Sequence, residues 1–213
     1  FYFSVVTLTT LGYGDVLPRS VGSQVLCILE VICGYVMLGG MLAMGTFFGA
    51  SQAGLTSFAL TNGLGDSGSL LYAVMAVGSA VTTVAMVAVP DRIGLATRWV
   101  LAGAGMALGA VGMMLAPNVV VLLVWAVLAG AFQGPALLTM FSVAGSIAQP
   151  GRAGILMTLT GSGVVLGVAI GTSAGGALAA GGGPAAAFAL VATAAGVLAL
   201  LGAVVGILIR PRR

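Results

Sequence analysis

Seven apolar stretches, near residues 21–44, 45–61, 69–89, 98–116, 118–146, 153–180 and 184–209, follow one another with only short breaks of Gly, Pro, Asp and Arg. Crossing the hydrocarbon core of a bilayer takes a helix of roughly 20 apolar residues, and most of these stretches meet that length. The pattern predicts an all-α membrane protein with six to seven transmembrane helices. Pro and Gly mark the sharpest breaks, at Ala116-Pro117-Asn118 and at Gly181-Gly182-Gly183-Pro184.

Composition agrees with the pattern. Hydrophobic residues make up 60% of the chain, charged residues 5%, and the mean hydropathy is +1.22, far outside the range of water-soluble domains. With 213 residues given over to spans and short loops, no sizeable soluble domain fits. The seven basic residues are all arginines, single or at the C-terminus, without the basic stripe that nucleic acid requires. Cys27 and Cys33 stand in an apolar helix without a histidine or metal-ligand spacing and read as reduced packing residues. No nucleophile–base pair, metal cluster or phosphate loop stands out, so an enzyme is not expected.

The arginines carry orientation. Arg92 and Arg98 follow the third stretch, Arg152 the fifth, and Arg210, Arg212 and Arg213 the last, each group two spans from the next. They share one side, and the positive-inside rule makes that side cytoplasmic, the C-terminus included. Residues 61–68 and the breaks at 116–118 and 181–184 are then external, in a multi-pass protein of the plasma or inner membrane. The region 21–61 faces a parity condition: if Ser20 is also external, the chain crosses twice or not at all. A single helix would be about 60 Å long, twice the hydrocarbon thickness. A hairpin near Gly45-Thr46-Phe47-Phe48-Gly49 satisfies the condition; one long or broken helix is the alternative, since that turn carries no charge and no Pro.

Ahead of these stretches lies Thr10-Leu11-Gly12-Tyr13-Gly14-Asp15. A dehydrated cation needs a cage of oxygens, and backbone carbonyls supply one where residues alternate between ordinary and left-handed conformations, which glycine permits cheaply. Gly12 and Gly14 meet that need; the carbonyls of Thr10, Leu11, Gly12 and Tyr13 and the Thr10 hydroxyl would stack as rings if four copies met around one axis. Phe1 to Thr9 is apolar and hydroxyl-rich, as suits a short re-entrant helix whose negative C-terminal end favours a cation. The segment from Phe3 to Pro18 resembles, without a gap, the pore helix and selectivity filter of tetrameric potassium channels. Leu11 replaces the commoner valine and keeps the carbonyl. The resemblance continues over Gln24 to Met41, where Leu29-Glu30 and Cys33-Gly34-Tyr35-Val36-Met37-Leu38-Gly39 look like the inner helix.

That resemblance implies a K+-binding filter at Thr10, Leu11, Gly12, Tyr13 and Gly14, supported by Asp15 and Glu30, with Gly34 as the gating hinge. It also implies a homotetramer. K+ is then the transported ion, held at the filter carbonyls only, and no cofactor is expected. The family's outer helix is missing, so the chain reads as the remainder of something longer.

From about Gly39 onward the chain is similar to the C-terminal six-helix half of a major facilitator superfamily transporter, of the drug-efflux type. Phe47 to Leu55 resembles the first helix of that half. Val89-Pro90-Asp91-Arg92-Ile93-Gly94, with Arg98 beyond, resembles the signature cytoplasmic loop, although Val87 stands where glycine is usual and Leu95 and Ala96 replace a basic pair. Gln149 to Gly154, followed by Gly161-Ser162-Gly163, resembles the later loop and eleventh helix. The resemblance implies a missing partner half, and a substrate cavity lined by Gln52 and Gln133, with Pro135 kinking the latter's helix.

The residues themselves add two points. Gly163, Gly167, Gly171 and Gly175 recur every four residues on one helical face, the pattern of a packing seam, and Gly105 and Gly109 form a shorter one. An amide inside an apolar span is costly unless it meets a wet cavity or a partner, so Gln52 and Gln133 either line such a cavity or bond a neighbouring helix. Beyond Asp66 and Asp91 at helix ends, the transporter-like part has no acidic group and no histidine, which leaves a proton relay little to work with.

Two partial machines thus share one chain: residues 1–44, channel-like, and 45–213, transporter-like. Their patterns overlap inside one apolar segment, which points to a fusion boundary between Gly39 and Gly49. The expected activity is potassium-selective conduction; half of a secondary transporter, or a fusion product with no activity of its own, is the alternative.

Overall fold

The computed structural model describes residues 20–88, 93–147 and 153–208, with Val25, Leu26, Leu29, Glu30, Cys33, Val87, Ser146, Ile147, Ala153, Ile155, Leu156 and Leu208 described in main chain only. These residues form helices α1 (Val21–Thr61), α2 (Gly68–Ala85, extended by a 3-10 turn at Met86–Ala88), α3 (Leu95–Met114), α4 (Val119–Ile147) and α5 (Ala153–Leu208). At Gly183, with φ 72° and ψ −175°, and Pro184, α5 divides into two arms, 153–182 and 184–208. The protein is an all-α, multi-pass membrane protein; among the described residues five helices are long and apolar enough to cross a bilayer, the last of them containing both arms of α5.

The region 21–61 is one unbroken helix of 41 residues, so no hairpin forms at Gly45–Gly49. Glycine at 45 and 49 serves close approach, not a turn. A methyl group on Gly45 would fall onto the Val164 carbonyl and 2.6 Å from the Val168 nitrogen; one on Gly49 would meet the Val168 carbonyl and, at 2.7 Å, the Thr172 hydroxyl. The opposing surface is the predicted glycine seam. Gly163 faces Met41, Gly167 faces Leu42 and Gly45, Gly171 faces Thr46, and Gly175 faces Ala50. Numbers rise together on both sides, so α1 and the first arm of α5 run parallel at backbone contact. The Thr46 hydroxyl donates to the Gly167 carbonyl at 3.5 Å across the seam.

Pairwise packing closes the bundle. α4 lies against both α2 and α3, α3 against the second arm of α5, and α1 along both arms. Gly105 packs under the Phe132 ring and Gly109 against Ala129, as the shorter seam predicts. Gly130 and Gly134 admit Met75 and Thr83 of α2. At the centre the fully buried Trp99 indole is held between two glycines: a methyl on Gly40 would lie 2.8 Å from the ring, and one on Gly202 2.9 Å from it.

Helix ends are built from ordinary capping chemistry. The Ser20 hydroxyl accepts from the Ser23 backbone N–H at 3.1 Å while the Ser20 N–H donates to the Ser23 hydroxyl at 3.2 Å, a reciprocal box that starts α1. Asn62 closes α1 by donating from Nδ2 to the Phe58 carbonyl at 2.9 Å, and Gly63 and Gly65 turn the chain with positive φ. The Asn118 side chain accepts the Val121 N–H at 3.0 Å to open α4.

An α-helix of this length measures about 60 Å. Its buried apolar residues run from Val36 to Ala59, and Ile32 is the first described side chain to touch the core. Before that, roughly ten residues, or about 15 Å of helix, project beyond the bundle. Val21 and Ile28 there are 77% and 59% exposed, and Gly22 has nothing near it.

Because α1 is a single rod, its Ser20 and Asn62 ends lie at opposite ends of the bundle. Ser20 and residues 61–68 therefore cannot both be external, as the sequence-based topology requires.

Candidate functional site: the channel-like segment and the polar groups of the bundle

The candidate filter residues Thr10, Leu11, Gly12, Tyr13 and Gly14, and Asp15 behind them, lie outside the described residues, as do Asp91 and Arg92. What the structure does describe is the helix that the segment leads into. Helix α1 begins at the capped Ser20, immediately after Pro18-Arg19, so the motif is followed at once by a rigid element with a defined first turn. Glu30 lies on the projecting part of α1. Gly34 is half-buried and marks the level at which α1 enters the bundle; the helix runs straight through it without a break in hydrogen bonding.

Gly34 is followed by residues that serve the bundle. Val36, Met37, Met41 and Met44 are buried in the core, and Gly40 makes the slot for Trp99. The inner-helix-like sequence is therefore also the first helix of the bundle, and α1 passes through both Met44 and Gly45 without interruption.

Of the loop-motif residues, Gly94 is exposed and immediately precedes α3, and Arg98 lies in the first turn of that helix. Its Nε donates to the Ile93 carbonyl at 2.9 Å, tying the connection to the helix start.

The two glutamines occupy different environments. Gln52 is exposed and lines an open groove of about 500 Å³ between α1 and the first arm of α5, together with Thr56, Ser57, Thr172 and Gly176. Gln133 is 5% exposed on the inward face of α4, and its Oε1 has no hydrogen-bond partner among the described residues. It is not among the residues that line the Gln52 groove. Pro135 sits inside α4, which continues past it to Ile147; the Pro135 carbonyl accepts the Thr139 hydroxyl at 2.7 Å.

Two further buried polar groups were not evident from sequence. The Ser51 hydroxyl and Trp99 Nε1 are buried and have no hydrogen-bond partner among the described residues. Ser51 directly precedes Gln52 on the helix but faces inward, whereas Gln52 faces the groove. A serine in a Gly/Ala-rich apolar helix carries no signal of its own. Trp99 had a signal in retrospect, since it stands next to the motif arginine at the start of a span.

Comparison with known proteins bears on the first quarter of the chain. Residues 1–50 match the ion channel family model. Mouse potassium channel subfamily K member 10 is 40% identical over 58 residues, which cover 25% of this chain and 11% of that protein. Human potassium channel subfamily K member 2 is 35% identical over 58 residues, 25% of this chain and 14% of the relative. Two-pore potassium channel 1 of Arabidopsis thaliana is 45% identical over 42 residues, 20% of this chain and 12% of the relative. The chain thus spans only a small part of the length of these curated relatives. An N-terminal region that is potassium-channel-like leads, through one continuous helix, into a membrane-embedded bundle.

Proposed function

We propose that the chain contributes to potassium-selective ion conduction through a filter formed by Thr10, Leu11, Gly12, Tyr13 and Gly14, assembled from four copies. The observation that carries this reading is the channel family match over residues 1–50, which takes in the whole motif and α1 as far as Ala50. In this reading the main-chain carbonyls replace the water shell of K+, the cargo, and glycine at 12 and 14 permits the conformations that aim them inward. Asp15 and Glu30 support the filter, and Gly34, at the mouth of the bundle, is the flexible point of α1. No enzymatic step is involved.

K+ flux into proteoliposomes containing the intact chain tests the reading. Flux selective for K+ over Na+ is expected, falling to background in Gly12→Ala or Gly14→Ala at equal incorporation. Flux that survives both substitutions removes the filter from the mechanism.

A second reading, half of a major-facilitator-type transporter that pairs with another half, is favoured by one observation. The two arms of α5 bring the bundle to six rods, and a partly polar groove at Gln52, Thr56, Ser57 and Thr172 opens on its side. On this reading Gln52 contacts solute, the domain boundary falls near residue 45, and the absent half completes the cavity.

A further inference from the structure

Positions 21, 24, 28, 31, 35, 38, 42, 45 and 49 of α1 follow one another at spacings that alternate between three and four residues. That period of 3.5 keeps them on one side of a helix and suits a partner helix that winds gently around it. Part of the stripe has such a partner within the chain. Leu42, Gly45 and Gly49 lie against Gly167, Val168 and Thr172 on the first arm of α5, which runs parallel to α1. Towards Ser20 the stripe continues past this seam and comes to the surface: Val21, Ile28, Tyr35 and Leu38 are 77%, 59%, 53% and 47% exposed.

Lipid tails do not cover the start of this stripe. Helices α2 and α3, of 18 and 20 residues, each measure about 30 Å, the thickness of the hydrocarbon core. Both α1 and α3 run against the second arm of α5: Gly39 faces Leu201 and Gly54 faces Phe188, while Gly103 faces Ala199 and Gly206 approaches Ala96. Matching these contacts brings Leu95, the first residue of α3, level with Tyr35 of α1 to within a turn. Ile28 then stands about 10 Å and Val21 about 20 Å beyond the hydrocarbon edge, where the polar headgroup layer is only about 6 Å deep. Apolar side chains at that height meet water unless protein covers them.

We infer that α1 is an association helix: the stripe Val21, Gln24, Ile28, Val31, Tyr35 and Leu38 packs against the same stripe of a second copy of this chain, with the two helices parallel. The same side of α1 already accepts a parallel helix from Leu42 onward, so the new contact extends an existing seam. In parallel register each position meets its own counterpart. Val21 and Ile28, β-branched, alternate with Gln24, Val31 and Leu38, a pattern that favours two strands, and the exposed Gln24 amide, both donor and acceptor, pins the register. Charge permits the match: Glu30 is the one ionisable acid between Ser20 and Thr61, no basic residue lies there, and Glu30 falls off the stripe. The ordering cost is reduced, because the bundle already holds α1 from Ile32 onward. The inference stands whether or not Thr10 to Gly14 form a filter.

The test uses the full chain with Cys27→Ser and Cys33→Ser, carrying one new cysteine at a time: Val21→Cys or Ile28→Cys on the stripe, or Gly22→Cys, which points into open space away from it. Proteoliposomes at low protein density are oxidised, and covalent pairs are measured on a denaturing gel. V21C and I28C are each expected to give at least fivefold more linked pair than G22C. Equal yields from all three, as in random collision, would overturn the inference, as would no linkage at all. Linkage of I28C without V21C would overturn the parallel arrangement. If the cysteine-free background fails to insert, Ile28→Asp and Gly22→Asp in the otherwise unaltered chain are compared by the mass of the detergent-solubilised protein. I28D is expected to have at most half the mass of the parent and of G22D; a mass equal to the parent's, or a parent that is itself a single copy, overturns the inference. Missing linkage with K+ flux intact counts against this contact alone, and linkage without K+ flux supports the contact while counting against the filter.

Discussion

The two parts of α1 are both mostly apolar in sequence and end in different circumstances. Beyond Ile32 the helix is locked: Gly39, Gly40, Gly45 and Gly49 bring it into contact with α3, α4 and α5, and Phe47, Ala50, Ser51 and Leu55 are fully buried. Before Ile32 the helix has a capping box, exposed Val21 and Ile28, and Gly22 in open space. The channel family match covers the part before Ile32 and also the packed part up to residue 50. Apolar character alone therefore does not say whether a residue packs on protein. The spacing of small residues does, because only they let two backbones come together.

The sharpest way to break this contrast is to fill the seam. Gly45→Val and Gly167→Val each place side-chain carbon onto the backbone of the facing helix, with no flexible side chain to yield. Each should cost at least about 3 kcal/mol, beyond ordinary overpacking, read as a fall in the melting temperature of the detergent-solubilised protein. Gly22→Val, on the projecting part, should stay within about 0.5 kcal/mol by the same measurement. A seam variant that melts like the parent would mean that α1 and α5 do not meet as described.

A smaller effect sharpens the comparison from the other side. Ser20→Ala removes the side-chain acceptor for the Ser23 N–H and should cost the first turn of α1 about 1 kcal/mol. Because that turn lies beyond the bundle, hydrogen exchange should quicken in residues 21–24 while the global melting temperature stays unchanged. A matching global loss would mean that the projecting turn is coupled to the core.

Much of this architecture was legible in the residues. The breaks at Ala116-Pro117-Asn118 and Gly183-Pro184 fall where helices end or divide, and the four-residue glycine ladder from Gly163 to Gly175 is a packing seam. Its partner was not legible, because a ladder names a face and not what lies against it. The ambiguity at Gly45–Gly49 has the same origin: glycine suits a turn through its free backbone and a seam through its missing side chain, and only the opposing α5 backbone separates the two uses. For the candidate site, the motif at Thr10 to Gly14 is legible as chemistry, and a family match covers it. The environments of Gln52 and Gln133 were not, since apolar neighbours along the chain are the same for an amide that faces a groove and one that faces the core.

The length of α1 bears on how the protein is made. A 41-residue helix is about twice the length that a span needs, and Glu30 and Gln52 are the polar groups within it that bear on which stretch enters the lipid. Within the bundle its position is held by Gly163 to Gly175, more than 100 residues later in the chain, which clasp Met41 to Ala50. The depth at which α1 finally sits is thus set by contacts distant in sequence and not by its own length.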